Sequence, residues 1–569
     1  MRSLKFVSIS TVVTCALLSA CGGGNDAEPA LPQLSAATPG KLQETCAGLA
    51  AQFHFPNTEI GSAEDVAAGV LKVAGRDVPG HCLVKGSMYQ RAGVNGNYAI
   101  AFEMRLPTAW NGRFFYQANG GTDGSVQTAT GGVNGGGALT NALSMGFAVI
   151  SSDAGHNAAQ NASGPANFGV DPQARLDYGY QTVAKLTPMA KGLIKDAYHR
   201  GPDRSYIGGC SNGGRHTMVA AARYANDYDG FLVGDPGFNL PLAATANIAG
   251  YQQYLALAAQ PGDAASGFTQ AERSTVASAI LGKCDALDGV ADGMVQNSGA
   301  CKTAFDLDRD VPTCTASRDG SCLTAGQKAG IRQLFTGVKT PDGQRIYASW
   351  PYDNGIQTGG WSFWKFTVPM ILDSVAVGQV WMSPPMDAAS FSGPIFAATA
   401  DIAEVFRRIH ATSGSYPESA LSFMTPPNPT DLSLLKQRGA KMMVYHGTAD
   451  PIFSSDDTTR WYESLMQAND GSASNFARYY PIAGMNHCSG GPATDQFDML
   501  TPLVAWVEQG EAPTAIVASA RGPGNAAGVN ADVPAAWSAN RTRPLCAYPQ
   551  VATYKGSGSI EDANNFSCK

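Results

Sequence analysis

Hydrophobic positions follow two rhythms along the chain. Short apolar runs of strand length stand at residues 98–104, 146–151, 206–209, 441–445 and 476–480, and helically spaced apolar stretches, such as 218–222, fall between them. Brief apolar runs bounded by turn residues fit strands covered on both faces. Their alternation with helical patterns predicts a parallel sheet with crossover helices, in two blocks at residues 41–238 and 432–569. Between the blocks, residues 239–431 show no strand series, so this segment is expected to be a lid domain inserted into an α/β body. Its midsection is aromatic, with Trp361, Phe363, Trp364, Phe366 and Trp381. Such residues build either the insertion's own core or a cover over an aromatic substrate.

The N-terminus sets the compartment. A positive start, Met1-Arg2-Ser3-Leu4-Lys5, precedes an apolar stretch at 6–18 that is too short for a stable membrane span. This predicts a signal peptide over residues 1–20. It closes with Leu18-Ser19-Ala20-Cys21, which resembles a bacterial lipobox, so Cys21 is the expected lipidation site, with plain cleavage as the alternative. Residues 21–40 are rich in Gly, Ala and Pro and read as a flexible linker. The only membrane association expected is through this anchor, and the product is an exported, periplasmic or outer-membrane-anchored lipoprotein.

Composition narrows the function. The 569 residues carry a net charge of −7 and no basic block, which excludes a phosphate-neutralising nucleic-acid binder. Of twelve cysteines, Cys15 lies in the leader and Cys21 is the lipidation candidate, and the remaining ten suit disulfides in an oxidising compartment. Cys284 and Cys301, Cys314 and Cys322, and Cys546 and Cys568 are each close enough in sequence to close a short loop.

The chemistry centres on Gly209-Cys210-Ser211-Asn212-Gly213, a G-x-S-x-G pattern with a strand before it and a helical run after it. Small flanking residues are needed where a nucleophile sits on a strained strand-to-helix turn. Serine is a weak nucleophile and requires a base and an orienting acid, in the order Ser, Asp, His for this fold class. Asp450 follows the strand at 441–445, and Asp456 and Asp457 read more simply as helix N-terminal acids. His487 lies in a glycine-rich loop after the strand at 476–480, whereas His446 belongs to its strand and reads as structural. Acyl transfer also needs two oxyanion donors. One is the N–H of Asn212 and the other is expected in Asn119-Gly120-Gly121-Thr122.

Cys210 precedes the serine and Cys488 follows the histidine. A disulfide between them would clamp the nucleophile and base loops together. This double-cysteine constellation resembles the tannase and feruloyl esterase family, from about residue 45 to the C-terminus. Gly112-Arg113-Phe114-Phe115, the segment at 171–177, the segment at 485–492 and Arg541-Thr542-Arg543-Pro544-Leu545-Cys546 look closest to its mono(hydroxyethyl) terephthalate hydrolases. The resemblance implies an α/β-hydrolase fold with an inserted lid and catalytic Ser211, Asp450 and His487. It implies an oxyanion hole at Gly121 and Asn212, and substrate contacts at Trp364 and Phe453. Disulfides would join Cys46 to Cys82, Cys210 to Cys488, Cys284 to Cys301, Cys314 to Cys322 and Cys546 to Cys568.

Residues 284–294 gather Asp285, Asp288 and Asp292 with glycine turns, and by spacing suit either Ca²⁺ or a solvent-facing acidic loop. The resemblance implies a structural Ca²⁺ in the lid, held by those carboxylates and the carbonyls of Val290 and Met294. No organic cofactor is expected. Two departures bear on the substrate. The terephthalate monoester enzymes use a lid arginine, yet no Arg lies between Arg345 and Arg407, where Lys365 is the sole cation. The residue after the nucleophile is Asn212, where an acid is usual in that group. The expectation is therefore a serine carboxylic ester hydrolase for small esters of aromatic acids, working through an acyl-enzyme. The alternatives are a mono(hydroxyethyl) terephthalate hydrolase and an inactive lipid-anchored binding protein.

Overall fold

In the computed structural model the described residues are 31–133, 135–157 and 166–569. The leader, Cys21 and residues 21–30 lie outside them. A nine-stranded sheet organises the body: β1 (Thr58–Val66), β2 (His81–Gly93), β3 (Gly96–Pro107), β4 (Arg113–Gln117), β5 (Ala148–Ser152), β6 (Arg204–Cys210), β7 (Gly230–Gly234), β8 (Lys441–Gly447) and β9 (Ala477–Ile482). The spatial order is β9-β8-β7-β6-β4-β5-β3-β2-β1.

From β9 across to β5 every pairing is parallel, as the alternating pattern predicts. The remaining strands correct that reading, because β3 pairs antiparallel with β5 and β2, and β1 pairs antiparallel with β2. The reason is connection length. Only Val94 and Asn95 separate β2 from β3, enough for a hairpin and far too few for a crossover.

Alternate side chains of the parallel strands enter two cores. Phe114, Tyr116, Ile207, Met442 and Val444 pack on one face, and Phe115, Tyr206, Met443 and Tyr445 on the other. Helices α1 (Thr182–Tyr198), α2 (Asn212–Arg223) and α4 (Ser455–Gln467) contribute to the first core, and α5 (Leu500–Gln509) to the second. Both faces being covered explains why the strands read as unbroken apolar runs. This is an α/β-hydrolase fold.

The stretch between β7 and β8 is helical and begins with α3 (Leu240–Ala256). Tyr254, Phe268, Ile280, Trp361 and Phe366 form a core of its own. A second cluster, including Tyr178, Leu240, Val380, Trp381, Ile452 and Phe453, binds it to the body. The linker expectation fails at its C-terminal end. Leu31 and Leu34 pack against the two cores of the sheet, the Ala37 N–H donates to Glu508 at 2.8 Å, and the Thr38 N–H donates to Asp203 at 2.8 Å. These contacts pair backbone amides within residues 31–40 with side chains 165 and 471 residues further along the chain and leave no periodic signal.

Candidate active site

The turn after β6 explains its own composition. Ser211 adopts φ 67° and ψ −128°, a strained conformation for a residue with a side chain, and α2 starts at the next residue. A Cβ at Gly209 or at Gly213 would lie 2.3 Å from the carbonyl oxygen of Ala118. Only glycine permits this approach.

The two expected partners meet Ser211. His487 Nε2 lies 2.8 Å from Ser211 Oγ, and His487 Nδ1 lies 2.7 Å from Asp450 Oδ2. The other Asp450 oxygen accepts the N–H groups of Ile452 at 2.8 Å and Phe453 at 3.1 Å. This arrangement fixes Nδ1 as the protonated ring nitrogen of neutral His487 and leaves Nε2 to accept from the serine. Burial pushes the Asp450 carboxyl up, but His487 and His446 outweigh it and hold Asp450 below the usual carboxylate range. The Cys210–Cys488 disulfide, with Cα atoms 6.0 Å apart, joins the residue before Ser211 to the residue after His487. The other four pairings, Cys46–Cys82, Cys284–Cys301, Cys314–Cys322 and Cys546–Cys568, are also present.

None of the rival residues reaches Ser211 in place of His487 or Asp450. His446 is fully buried behind Asp450, with Nδ1 2.8 Å from Thr458 Oγ1 and Nε2 3.0 Å from the Phe453 carbonyl and 3.3 Å from Asp450 Oδ2. Asp456 pairs with Lys302 at 2.7 Å, and Asp457 accepts from Asn239 at 2.8 Å.

Two acids escaped the sequence reading. Asp235, just past β7, accepts the Gly447 N–H at 2.8 Å and touches Cys210 Sγ at 3.5 Å. Burial first, and then the negative Asp450, push its carboxyl well above the ordinary range, so it is held protonated beside the ionised Asp450. Its position beyond a strand's C-terminal end was the available signal. Asp353, from the lid, accepts from Thr448 Oγ1 at 2.6 Å and from the Gly484 N–H at 3.2 Å. It thereby ties the loop of Asp450 to that of His487, and nothing local in the sequence marks it.

Gly121 and Asn212 border the same cleft as Ser211. Gly121 has φ 64°, and a Cβ on its neighbour Gly120 would lie 3.7 Å from Ser211 Cβ. The Asn212 side chain donates to Asp123 at 2.9 Å, and His216 Nε2 lies 2.9 Å from the same oxygen. The loop carrying Gly121 is thus fastened to the start of α2, where the helix dipole also favours negative charge.

The cleft together with its open mouth holds about 410 Å³ of empty space. Trp364 and Phe453 line it and meet the His487 ring edge-on, at centroid distances of 5.0 and 5.3 Å. The aromatic midsection therefore splits: Trp361 and Phe366 are core, whereas Trp364 and Trp381 border the cleft. Lys365 does not. It is half-buried, with its Nζ 3.5 Å from the centre of the Trp350 ring, and borders a separate cavity beyond Asp450.

In the acidic lid loop, Asp285 accepts from the N–H groups of Asp292 at 2.8 Å and Gly293 at 2.9 Å. Asp292 pairs with buried Arg543, and its carbonyl accepts from Arg541 at 2.6 Å. Asp288 Oδ2 and Asp292 Oδ1 are buried without a partner, as oxygens awaiting a hard cation are. Asp285 is occupied with backbone, and the three carboxylates do not close on one another as a single cluster within 4.8 Å.

Residues 82–569 match the family model "Tannase and feruloyl esterase". The chain is 39% identical over 547 residues to the mono(2-hydroxyethyl) terephthalate hydrolase of Piscinibacter sakaiensis, covering 90% of this chain and 88% of that one. It is 28% identical to feruloyl esterase C of Talaromyces stipitatus, covering 92% and 94%. The crystal structure of feruloyl esterase B from Aspergillus oryzae superimposes with a TM-score of 0.72 at 23% identity, over 92% of this chain and 99% of that one, which speaks to the fold. The chain belongs to the tannase and feruloyl esterase family and is a carboxylic ester hydrolase.

Proposed function

We propose that the protein hydrolyses esters of aromatic carboxylic acids through an acyl-enzyme on Ser211. The observation that carries this reading is the unbroken pair of hydrogen bonds from Ser211 through His487 to Asp450. His487 Nε2 takes the serine proton as Oγ attacks the ester carbonyl, and Asp450 orients the ring and stabilises its cationic form. The N–H groups of Gly121 and Asn212 hold the oxyanion. His487 then protonates the departing alcohol and next activates the water that releases the acid. Trp364 and Phe453 supply flat apolar faces for an aromatic acyl group.

The test is covalent labelling by a serine-directed phosphonate together with hydrolysis of methyl ferulate, methyl gallate and mono(hydroxyethyl) terephthalate. Wild type should label and turn over, and Ser211→Ala should do neither. An unlabelled wild type would favour the binding-protein alternative and overturn the mechanism. The 39% identical relative favours a second reading, hydrolysis of the terephthalate monoester itself. Against it stand the absence of a lid arginine between Arg345 and Arg407 and the seclusion of Lys365.

The chain is exported, in keeping with its five disulfides, and Cys21 carries the lipid. We further propose that the lid loop would hold a structural Ca²⁺ between Asp288, Asp292 and the carbonyls of Val290 and Met294, with Asp285 joining them on release of the backbone N–H groups it accepts here. The two unpartnered oxygens of Asp288 and Asp292 support this ion.

A further inference from the structure

The loop after β4 carries Gly121 and is bent against its own preferences. Gly121, Asp123 and Gly124 all adopt left-handed backbone conformations, with φ of 64, 56 and 85°. Asp123 bears a side chain, so its conformation persists only where the surroundings hold it. Its N–H bonds within the loop, to the Gly120 carbonyl at 3.2 Å. The firmer hold comes from α2. The Asp123 side chain is 2% exposed, and its Oδ2 lies 2.9 Å from both Asn212 Nδ2 and His216 Nε2. Asn212 and His216 stand four residues apart on one helix face, which lets them share this oxygen. Arg215 is fully buried and donates from Nε to Asn212 Oδ1 at 2.6 Å. Its other nitrogens donate to the carbonyls of Gly179 at 2.8 Å and Tyr178 at 3.1 Å. A guanidinium can only donate, so the Asn212 amide is locked with its NH₂ toward Asp123.

Resting on the esterase reading above, we propose that Asp123 and His216 are positioning residues that fix the oxyanion hole by hydrogen bonding. The two oxyanion donors are the backbone N–H groups of Gly121 and Asn212. Asp123 stands two residues beyond Gly121 and is tied to the side chain of Asn212 itself. One buried knot therefore sets the spacing of the donors, which must match the oxyanion before it forms. Among the described residues the pair makes no hydrogen bond to Ser211 or His487, whose partners are each other and Asp450, so it is no second base. The knot also adds no charge of its own. Burial pushes the Asp123 carboxyl well above the ordinary range, against the Arg215 charge and the Asn212 bond. Burial, reinforced by the Arg215 charge, pushes His216 well below the ordinary imidazole range. Both groups are thus held neutral, with one proton bridging them. An ionised carboxylate here would oppose the negative charge gathering on the oxyanion, and the neutral pair holds the loop without doing so.

The test pairs kcat/KM on methyl ferulate with the Ki of an aryl trifluoromethyl ketone. Ser211 Oγ adds to the ketone carbonyl, its proton passes to His487, and the adduct leaves a charged oxygen in the oxyanion hole. Asp123→Ala should lower kcat/KM by about 10²-fold, as a displaced donor does, and raise the Ki by a matching factor. Inhibition by ferulate, which needs no oxyanion, should stay within about threefold of wild type, and the phosphonate should still label the variant to completion. A merely structural loss would instead reduce the labelled fraction and leave the Ki of the folded remainder unchanged. Asp123→Asn keeps an oxygen that accepts from both partners and should stay within about tenfold of wild type. His216→Phe, which removes one of the two bonds, should cost about tenfold in both kcat/KM and Ki, and serves should Asp123→Ala fold poorly. A kcat/KM unchanged in Asp123→Ala and His216→Phe, a Ki that does not follow it, or an Asp123→Asn no better than Asp123→Ala would overturn the positioning role while leaving the esterase reading intact. A wild type that neither cleaves the ester nor takes the phosphonate label would overturn the esterase reading and this proposal with it.

Discussion

Replacing Asp450 with asparagine isolates the role of one proton. Asp450 Oδ1 accepts two backbone N–H groups, from Ile452 and Phe453, at 2.8 and 3.1 Å. In Asp450→Asn the amide oxygen must take that position, because the amide nitrogen there would face two donors. The NH₂ then points at His487 Nδ1, now 2.7 Å from a donor in place of an acceptor. The imidazole can accept that bond only by carrying its own proton on Nε2, the nitrogen facing Ser211 Oγ. The serine loses its base although no atom has moved far. A wrong tautomer of this kind costs about 10⁴-fold in kcat, or about 5 kcal/mol of transition-state stabilisation. Initial rates on methyl ferulate, with a thermal melt to verify folding, measure it. A kcat within tenfold of wild type in a folded variant would refute the reasoning and make Asp235 the next acid to test.

Four further outcomes are expected. Since the folded state holds the proton of Asp235 more tightly than the unfolded chain, that group's stabilisation is complete below about pH 4 and is lost as pH rises toward the raised folded value. Asparagine mimics the neutral form, so Asp235→Asn should exceed wild type in Tm by a margin that grows as pH rises above the ordinary carboxylate range of about 4, and a constant margin contradicts this. The Cys210→Ser, Cys488→Ser pair should lose about 10²-fold in kcat through misplacement of Ser211 against His487, and equal activity would discount the clamp. Chelation should lower Tm by about 5 °C, restored by Ca²⁺ in wild type but not in an Asp288→Asn, Asp292→Asn variant; a melt indifferent to chelator and Ca²⁺ would remove the ion. Trp364→Ala should cost up to about tenfold in kcat/KM for methyl ferulate and much less for a short aliphatic ester, and equal losses would deny it a part in aromatic recognition.

Sequence reasoning reached those parts of the site that local pattern encodes. Ser211 sits in a turn whose neighbours must be glycine, and Asp450 and His487 follow strand ends in a fixed chain order. The parallel strands announced themselves because burial on both faces makes them wholly apolar. What stayed hidden depends on approach through space. Asp235 reads as an ordinary residue of a Gly-Asp-Pro-Gly turn, and Asp353 as one polar residue among many in a lid without periodicity. Asp123 and His216 lie far apart in the chain, and their bond is visible only once the loop after β4 is seen against α2. The docking of residues 31–40 was missed because backbone amides paired with Glu508 and Asp203 leave no trace in composition.

The disulfide between Cys210 and Cys488 spans 278 residues, and the whole insertion lies inside that span. Seen as a covalent circuit, the lid is an arc closed on itself beside the active serine. A protease outside the cell that cuts any exposed lid loop opens the arc without severing the molecule, and the serine's segment and the histidine's segment stay bonded. Clipped preparations should therefore run as one species on a non-reducing gel and as two after reduction. Durability of this kind comes from where the bridge is placed, not from how firmly the lid is packed.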